Sequence, residues 1–282
     1  MSTLRIGGYV GPVEPAGDPE ALARAHVAAG FNAAYCPDLV PGDLAAIRAH
    51  RDAFDRAGVP FAEAGAWSNL VAPSPEVRQR NFDYVCRRLA LADELGARCC
   101  VDYLGTYDPN SDFGPHPDNL TPAAFDAAVE VVRRVVDTVR PRRAKFALEM
   151  MQWVLPDSVE VYLDLIRAVD RPAFAAHVDP VNLILTPRQY YDTGGLIRHI
   201  FAMLGPHVVS CHGKDIVLRN QLALHFDEIR PGLGAMDYRT YVREIAQLGR
   251  DVPLMLEHLS TQEEFELARR HIVGCAESNG GS

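Results

Sequence analysis

Four residues with metal-ligating side chains recur in the second half of the chain at intervals of about one strand and one helix. They are Glu149, Asp179, His212 and Glu257. If each residue ends a strand of a parallel barrel, all four side chains point into one volume at the carboxyl face. Three carboxylates in that volume would repel one another strongly without a cation. The pattern therefore predicts a bound metal ion.

The chemistry of these side chains narrows the choice of ion. Three carboxylates and one imidazole form a hard, oxygen-rich ligand set, unlike the thiolate-rich sites that select zinc. We predict one divalent ion, with Mn²⁺ favoured and Mg²⁺ or Co²⁺ as alternatives. Each residue alone has a structural explanation, such as a turn role for Asp179 before Pro180. Only the four together indicate a site.

The elements that must position these residues are visible as an alternation along the chain. Short apolar runs alternate with longer stretches of helical period, which is typical of βαβ units around a parallel sheet. The pattern predicts an α/β protein, a (β/α)8 TIM barrel. Its eight predicted strands are residues 5–10, 33–36, 60–64, 99–104, 145–149, 174–179, 208–212 and 253–257.

The barrel is expected to form a single domain over residues 1–276, followed by a flexible tail at residues 277–282. A doubly wound open sheet is disfavoured because no GxGxxG turn follows the first strand. Two long connections, 105–120 and 214–237, would emerge at the carboxyl face, where barrel enzymes keep their active sites.

Composition and charge exclude several classes of partner. The 282 residues carry a formal net charge of −9, and acidic and basic side chains are interspersed. Such a surface is unsuited to nucleic acid. No apolar run is long enough to cross a membrane and no signal-peptide pattern is present, so we expect a cytoplasmic protein. The six cysteines show no CxxC spacing and are expected to be reduced, mostly buried thiols.

The order Glu, Asp, His, Glu, together with the HisGlyLysAsp run at residues 212–215, resembles the sugar phosphate isomerase/epimerase superfamily, whose members have a xylose isomerase-like TIM barrel. The resemblance covers nearly the whole chain. It implies that Glu149, Asp179, His212 and Glu257 hold one divalent metal. It also implies that Glu149 and Glu257 act as acid/base carboxylates on opposite sides of a substrate carbon next to a carbonyl, giving epimerisation or isomerisation of a ketose or keto-sugar.

Six further residues are predicted to contact substrate: Lys214, Arg219, Asn182, Glu63, Trp67 and His258. Relatives carry basic residues shortly after the strand-seven ligand, which favours Lys214 and Arg219. Asn182 departs from the family pattern, because many epimerases have a histidine three residues after the strand-six aspartate. An amide can hydrogen-bond a hydroxyl but cannot carry a proton. His177 is expected on the same inward strand face as Asp179.

The expected substrate is a small carbohydrate. Three alternative functions differ from the leading one in their substrate or in their chemistry. A lyase on the same scaffold would be a keto-cyclitol dehydratase or the metal-bearing subunit of a C-glycoside deglycosidase acting on a 3-keto-glycoside. A decayed barrel would bind sugar without catalysis. An endonuclease of the abasic-site type would need more histidines and a basic face. The sequence leaves open a homo-oligomer or, for the lyase, a small partner subunit.

Overall fold

Ten short strands form the sheets of the protein. In the computed structural model, which describes residues 4–279, they are β1 (Arg5–Gly7), β2 (Ala34–Tyr35), β3 (Phe61–Gly65), β4 (Cys99–Asp102), β5 (Lys145–Glu149), β6 (Phe174–Val178), β7 (Val208–Gly213), β8 (Asp215–Leu218), β9 (Phe226–Ile229) and β10 (Pro253–Leu256).

Eight of these strands are parallel and make a barrel. Their order is β1-β10-β7-β6-β5-β4-β3-β2, and a parallel bridge between Gly7 and Ala33 joins the two ends of the sheet. Because both faces of a barrel strand are covered, its residues are apolar with little alternation. The predicted (β/α)8 architecture is confirmed.

Nine helices surround the strands within residues 4–279: α1 (Pro19–Ala28), α2 (Leu44–Ala57), α3 (Pro75–Leu95), α4 (Pro122–Val139), α5 (Val159–Val169), α6 (Pro187–Tyr190), α7 (Thr193–Leu204), α8 (Tyr238–Gln247) and α9 (Gln262–Asn279). Asp18, Ser74 and Thr121 cap helices that begin with proline, and each accepts a backbone N–H with its side chain. The sequence therefore encodes where these helices begin.

One continuous apolar core lies between the barrel and the helices. Leu89 of α3 and Val132 of α4 are fully buried in it, beside Phe146 and Leu148 of β5. Burial of one such side chain stabilises the fold by roughly 1.5–3 kcal/mol. All six cysteines are free thiols, three of them buried. Within residues 4–279 no helix has the length and apolar character needed to span a bilayer.

Several strand boundaries differ from the predictions by one or two residues, and three differences are larger. β1 ends at Gly7 rather than at residue 10, because its pairing with β10 extends only from Pro253 to Met255 of that strand. The predicted connection 214–237 contains the antiparallel hairpin β8–β9. The last helix extends to Asn279, into the predicted tail, because it contains no proline and continues through its one glycine, Gly274. Residues 280–282 of that tail lie outside the described residues.

Candidate metal centre

The four predicted metal ligands lie together at the carboxyl ends of four neighbouring strands. Glu149 ends β5, His212 belongs to β7, and Asp179 and Glu257 directly follow β6 and β10. All four are buried, and one ligand atom from each lies within 4.8 Å of the others. The regular spacing in the sequence thus becomes a compact cluster because parallel barrel strands end at similar heights.

His212 lies between two of the carboxylates. Its Nδ1 is 2.9 Å from Glu149 Oε1 and 2.9 Å from Glu257 Oε1, and 3.9 Å from Asp179 Oδ2. One ring nitrogen therefore faces all three acidic groups, as a ligand nitrogen must if one ion is to bind all four side chains.

Lys214 brings a positive charge into the same cluster. Its Nζ is 2.5 Å from Glu257 Oε1, 2.9 Å from Asp179 Oδ2 and 3.6 Å from Glu149 Oε1. The residue is 4% exposed, so its charge is poorly screened by water. Lys214 partly offsets the repulsion among the three carboxylates.

The donor set fits a divalent cation. Asp179 Oδ2 and Glu257 Oε1 are buried, and among residues 4–279 neither accepts a hydrogen bond of acceptable geometry, although Lys214 lies close to both. Buried carboxylate oxygens are normally satisfied. Oxygens left without a directed donor, beside an imidazole nitrogen, are the atoms that a hard divalent ion takes as ligands.

A second layer of polar residues supports the imidazole from its other side. Glu63 of β3 contacts two histidines. Its Oε2 is 3.1 Å from His212 Nε2, and its Oε1 is 3.2 Å from His177 Nε2. Ser210 donates its hydroxyl hydrogen to Glu63 Oε1. Because a carboxylate only accepts, Nε2 of His212 carries the hydrogen. That arrangement leaves Nδ1 as the nitrogen available to a metal.

The pKa values follow from burial and from these contacts. Burial opposes ionisation of Glu63, but the charges and hydrogen bonds of His212 and His177 lower its pKa to about 2. Burial also opposes protonation of His212, yet the charges of Glu257, Glu63 and Glu149 raise its pKa well above the usual value. Burial raises the pKa of Asp179 to about 6, while the charge of Lys214 opposes that rise.

A cavity of about 570 Å³ opens above the cluster. Its volume lies in the range of roughly 300–1,000 Å³ typical of ligand pockets. Glu149 and Glu257 reach its surface, whereas Asp179 and His212 are fully buried. The lining residues are Tyr9, Tyr35, Cys36, Glu63, Gly65, Trp67, Arg88, Tyr103, Phe113, Glu149, Met151, Gln152, Asn182, Lys214, Glu228, Glu257 and His258.

Five of the six predicted substrate contacts line this cavity. Trp67 and His258 lie on its rim, and both have positive φ angles, 34° and 56°, which are strained for these residue types. His258 Nδ1 is 3.0 Å from Glu228. Asn182 donates to Glu149 Oε1 at 3.3 Å and to the Met150 carbonyl at 3.1 Å.

Arg219, the sixth residue predicted to contact substrate, does not line the cavity. It follows strand β8, where it pairs with Asp227 of β9, and its side chain is 48% exposed. The hairpin carries the residue away from the cluster, because strand β8 begins at Asp215, immediately after Lys214, and Arg219 lies at its far end.

Several cavity residues were missed in the sequence. Arg88 of α3 donates to the Gly65 carbonyl and to Asp38. Tyr9, Tyr35 and Tyr103 lie at the ends of the first, second and fourth barrel strands. Their position after a strand is the same signal that identified the metal ligands, but aromatic side chains are also common in cores.

Comparisons with known proteins agree with this architecture. The profile of the xylose isomerase-like TIM barrel family matches residues 22–273. No functionally curated protein matches the chain. Many solved structures share the fold, among them three that match almost the entire chain.

The first of these structures is an L-ribulose 3-epimerase, with 16% identity, a TM-score of 0.72 and coverage of 99% of this chain and 96% of that one. A xylose isomerase-like TIM barrel protein from Mycobacterium smegmatis, in complex with magnesium, has 18% identity, a TM-score of 0.68 and coverage of 98% and 97%. The 3-keto-D-glucoside 4-epimerase YcjR from E. coli has 13% identity, a TM-score of 0.67 and coverage of 98% and 100%. The chain belongs to the xylose isomerase-like TIM barrel family.

Proposed function

We propose that this protein is a divalent-metal-dependent sugar isomerase or epimerase that moves a proton at a carbon next to a carbonyl. The observation that carries the proposal is the convergence of Glu149, Asp179, His212 and Glu257 beneath an open cavity. Two of the similar structures are epimerases by name, and a third contains magnesium. These likenesses support the proposal.

The four ligand residues would hold the ion, with Mn²⁺ favoured by the donor set and Mg²⁺ or Co²⁺ as alternatives. The bound ion would supply a Lewis acid that polarises the substrate carbonyl and so makes the adjacent C–H more acidic. Glu149 and Glu257 belong to strands separated by β6 and β7, so they approach the cavity from different sides. One carboxylate would take the proton and the other would return it.

A lyase is the second candidate, favoured by the size of the cavity. The same removal of a proton can be followed by loss of a leaving group from the next carbon, which takes the bonding electrons with it. A cavity of about 570 Å³ leaves room for a leaving group beyond one sugar ring. The two candidates differ in whether the substrate loses a fragment.

The first test is elemental analysis of wild type and His212→Ala, after incubation with Mn²⁺, Mg²⁺ or Co²⁺ and desalting. We expect about one ion per wild-type chain and loss of that ion in the variant. His199→Ala is the matched control, because His199 is exposed and pairs with Glu160 outside the cavity. Wild type should then exchange a carbon-bound hydrogen of ketoses or 3-keto-glucosides with D₂O. Absence of bound metal in wild type would overturn the proposal.

A further inference from the structure

The mouth of the barrel is divided into two chemically distinct halves. The metal-ligating residues occupy the ends of β5, β6, β7 and β10, the last four barrel strands. The first four strands end instead in aromatic residues that line the same cavity: Tyr9 after β1, Tyr35 in β2, Trp67 after β3 and Tyr103 after β4. A ligand filling the cavity meets charged groups on one side and ring faces on the other.

The aromatic half is continuous with the metal half. Trp67 lies 6.3 Å from His212 between ring centroids, and it stacks on Tyr103 at 6.1 Å with an interplanar angle of 28°. Tyr103 contacts Phe113 of the loop after β4 at 5.1 Å. Ring surface therefore extends from the metal ligands outward to the rim, where Trp67 is 40% exposed.

The two charged side chains of the aromatic half already have partners within the protein. Glu63 is bound by two histidines and Ser210, and Arg88 donates to the Gly65 carbonyl and to Asp38. These groups have little capacity left for substrate hydroxyls. Stacked ring faces, with polar atoms only at the ring edges, suit a flat apolar group better than a second sugar, most of whose hydroxyls would be desolvated without compensation.

We infer that the outer part of the cavity binds an aromatic ring, so that the substrate is a sugar bearing an aryl substituent rather than a free monosaccharide. This inference rests on the proposed function only in assigning a sugar to the part of the cavity next to Glu149 and Glu257. The sugar would lie toward Glu149 and Glu257, and the aryl group would lie against Trp67, Tyr103 and Phe113.

The test compares phenyl β-D-glucopyranoside with methyl β-D-glucopyranoside and cellobiose on the metal-treated protein, using saturation-transfer NMR and titration of tryptophan fluorescence. We expect the phenyl glucoside to bind about tenfold more tightly than the methyl glucoside. Saturation should be strongest on its aryl protons. Equal affinities, no binding of the phenyl glucoside at millimolar concentration, or preference for cellobiose would overturn the inference.

Variants of the cavity aromatics test where the aryl group binds. Phe113→Ala should remove most of the preference for phenyl over methyl, and Phe113→Leu, which keeps apolar volume without a ring, should restore only part of it. Tyr84→Ala is the matched control, because Tyr84 is a half-exposed aromatic on α3 outside the cavity. An unchanged preference in Phe113→Ala and in Tyr103→Ala would contradict the assigned ring contacts.

Metal content of the same samples separates the two proposals. Bound metal with equal affinity for both glucosides would refute the aryl subsite and leave the proposed function standing. A clear preference for the phenyl glucoside without bound metal would refute the proposed function and leave the aryl subsite standing.

Discussion

Glu63 Oε2 lies 3.1 Å from His212 Nε2, the ring nitrogen opposite the one that faces the three acidic ligands. A buried carboxylate thus fixes the orientation and tautomer of the imidazole from below. The contact joins β3 to β7 across the barrel, and its partners are far apart in the sequence. In the proposed metal site, Glu63 would therefore support the nitrogen that binds the ion.

Glu63→Gln should weaken metal binding about 10- to 100-fold, the range typical when an outer-shell partner of a metal-ligating histidine is changed. An amide has one acceptor oxygen and one donor group, so it cannot accept from both His177 and His212 as the carboxylate does. Competition with a chromophoric chelator measures the affinity. Glu130→Gln, an exposed glutamate on α4, is the control. Unaltered affinity in Glu63→Gln would refute the supporting role.

Glu149→Gln and Glu257→Gln should each lower hydrogen exchange from substrate by about 10²- to 10⁴-fold, because a neutral amide cannot accept the proton. Both amides retain an oxygen that can bind the ion. Exchange is therefore measured at saturating metal, with metal content and circular dichroism recorded on the same samples. Normal exchange in the double variant would rule out the carboxylate mechanism.

Lys214→Met should change stability and metal affinity in opposite directions. Without metal, removal of the buried ammonium leaves only the His212 imidazolium to offset the charges of the three carboxylates, and we expect the free energy of unfolding to fall by about 3–5 kcal/mol. Metal should bind about tenfold more tightly or better, since a neighbouring positive charge is gone. Thermal unfolding with and without Mn²⁺ measures both effects. Arg219→Met, at the exposed hairpin, should show neither.

Metal affinity should increase with pH between about pH 6 and 8. Burial disfavours the His212 imidazolium, but Glu257, Glu63 and Glu149 raise its pKa well above the usual value, so the metal-free protein holds a proton there. The imidazole must lose that proton from Nδ1 before it binds an ion. Calorimetry in two buffers of different ionisation enthalpy should show release of about one proton per ion. Binding without proton release would argue against His212 as a ligand.

Asp215→Asn should lower the free energy of unfolding by about 2–5 kcal/mol. The buried carboxylate accepts from the backbone N–H groups of Ile216, Gly232, Gly234 and Met236, at 2.9 to 3.0 Å. An amide nitrogen in place of one oxygen leaves two of these donors unsatisfied. Chemical denaturation checks the prediction. The same change at half-exposed Asp227, whose partners Arg219 and His225 lie at the surface, should have little effect; equal losses at both positions would contradict this account.

The order of elements and the clustering of four side chains of metal-ligating types could be predicted from the sequence because both depend on local, periodic information. Capped helices alternate with apolar strands, and a residue that ends a parallel strand must lie at the carboxyl face. The convergence of Glu149, Asp179, His212 and Glu257 follows from that information alone.

Tertiary structure alone decided the roles of residues whose environment comes from distant parts of the chain. Lys214 and Arg219 are both basic and close in sequence, yet the hairpin β8–β9 turns only Arg219 outward. Glu63 supports His212 because β3 faces β7 across the barrel. Such assignments depend on side-chain direction and non-local packing, which neither spacing nor composition determines.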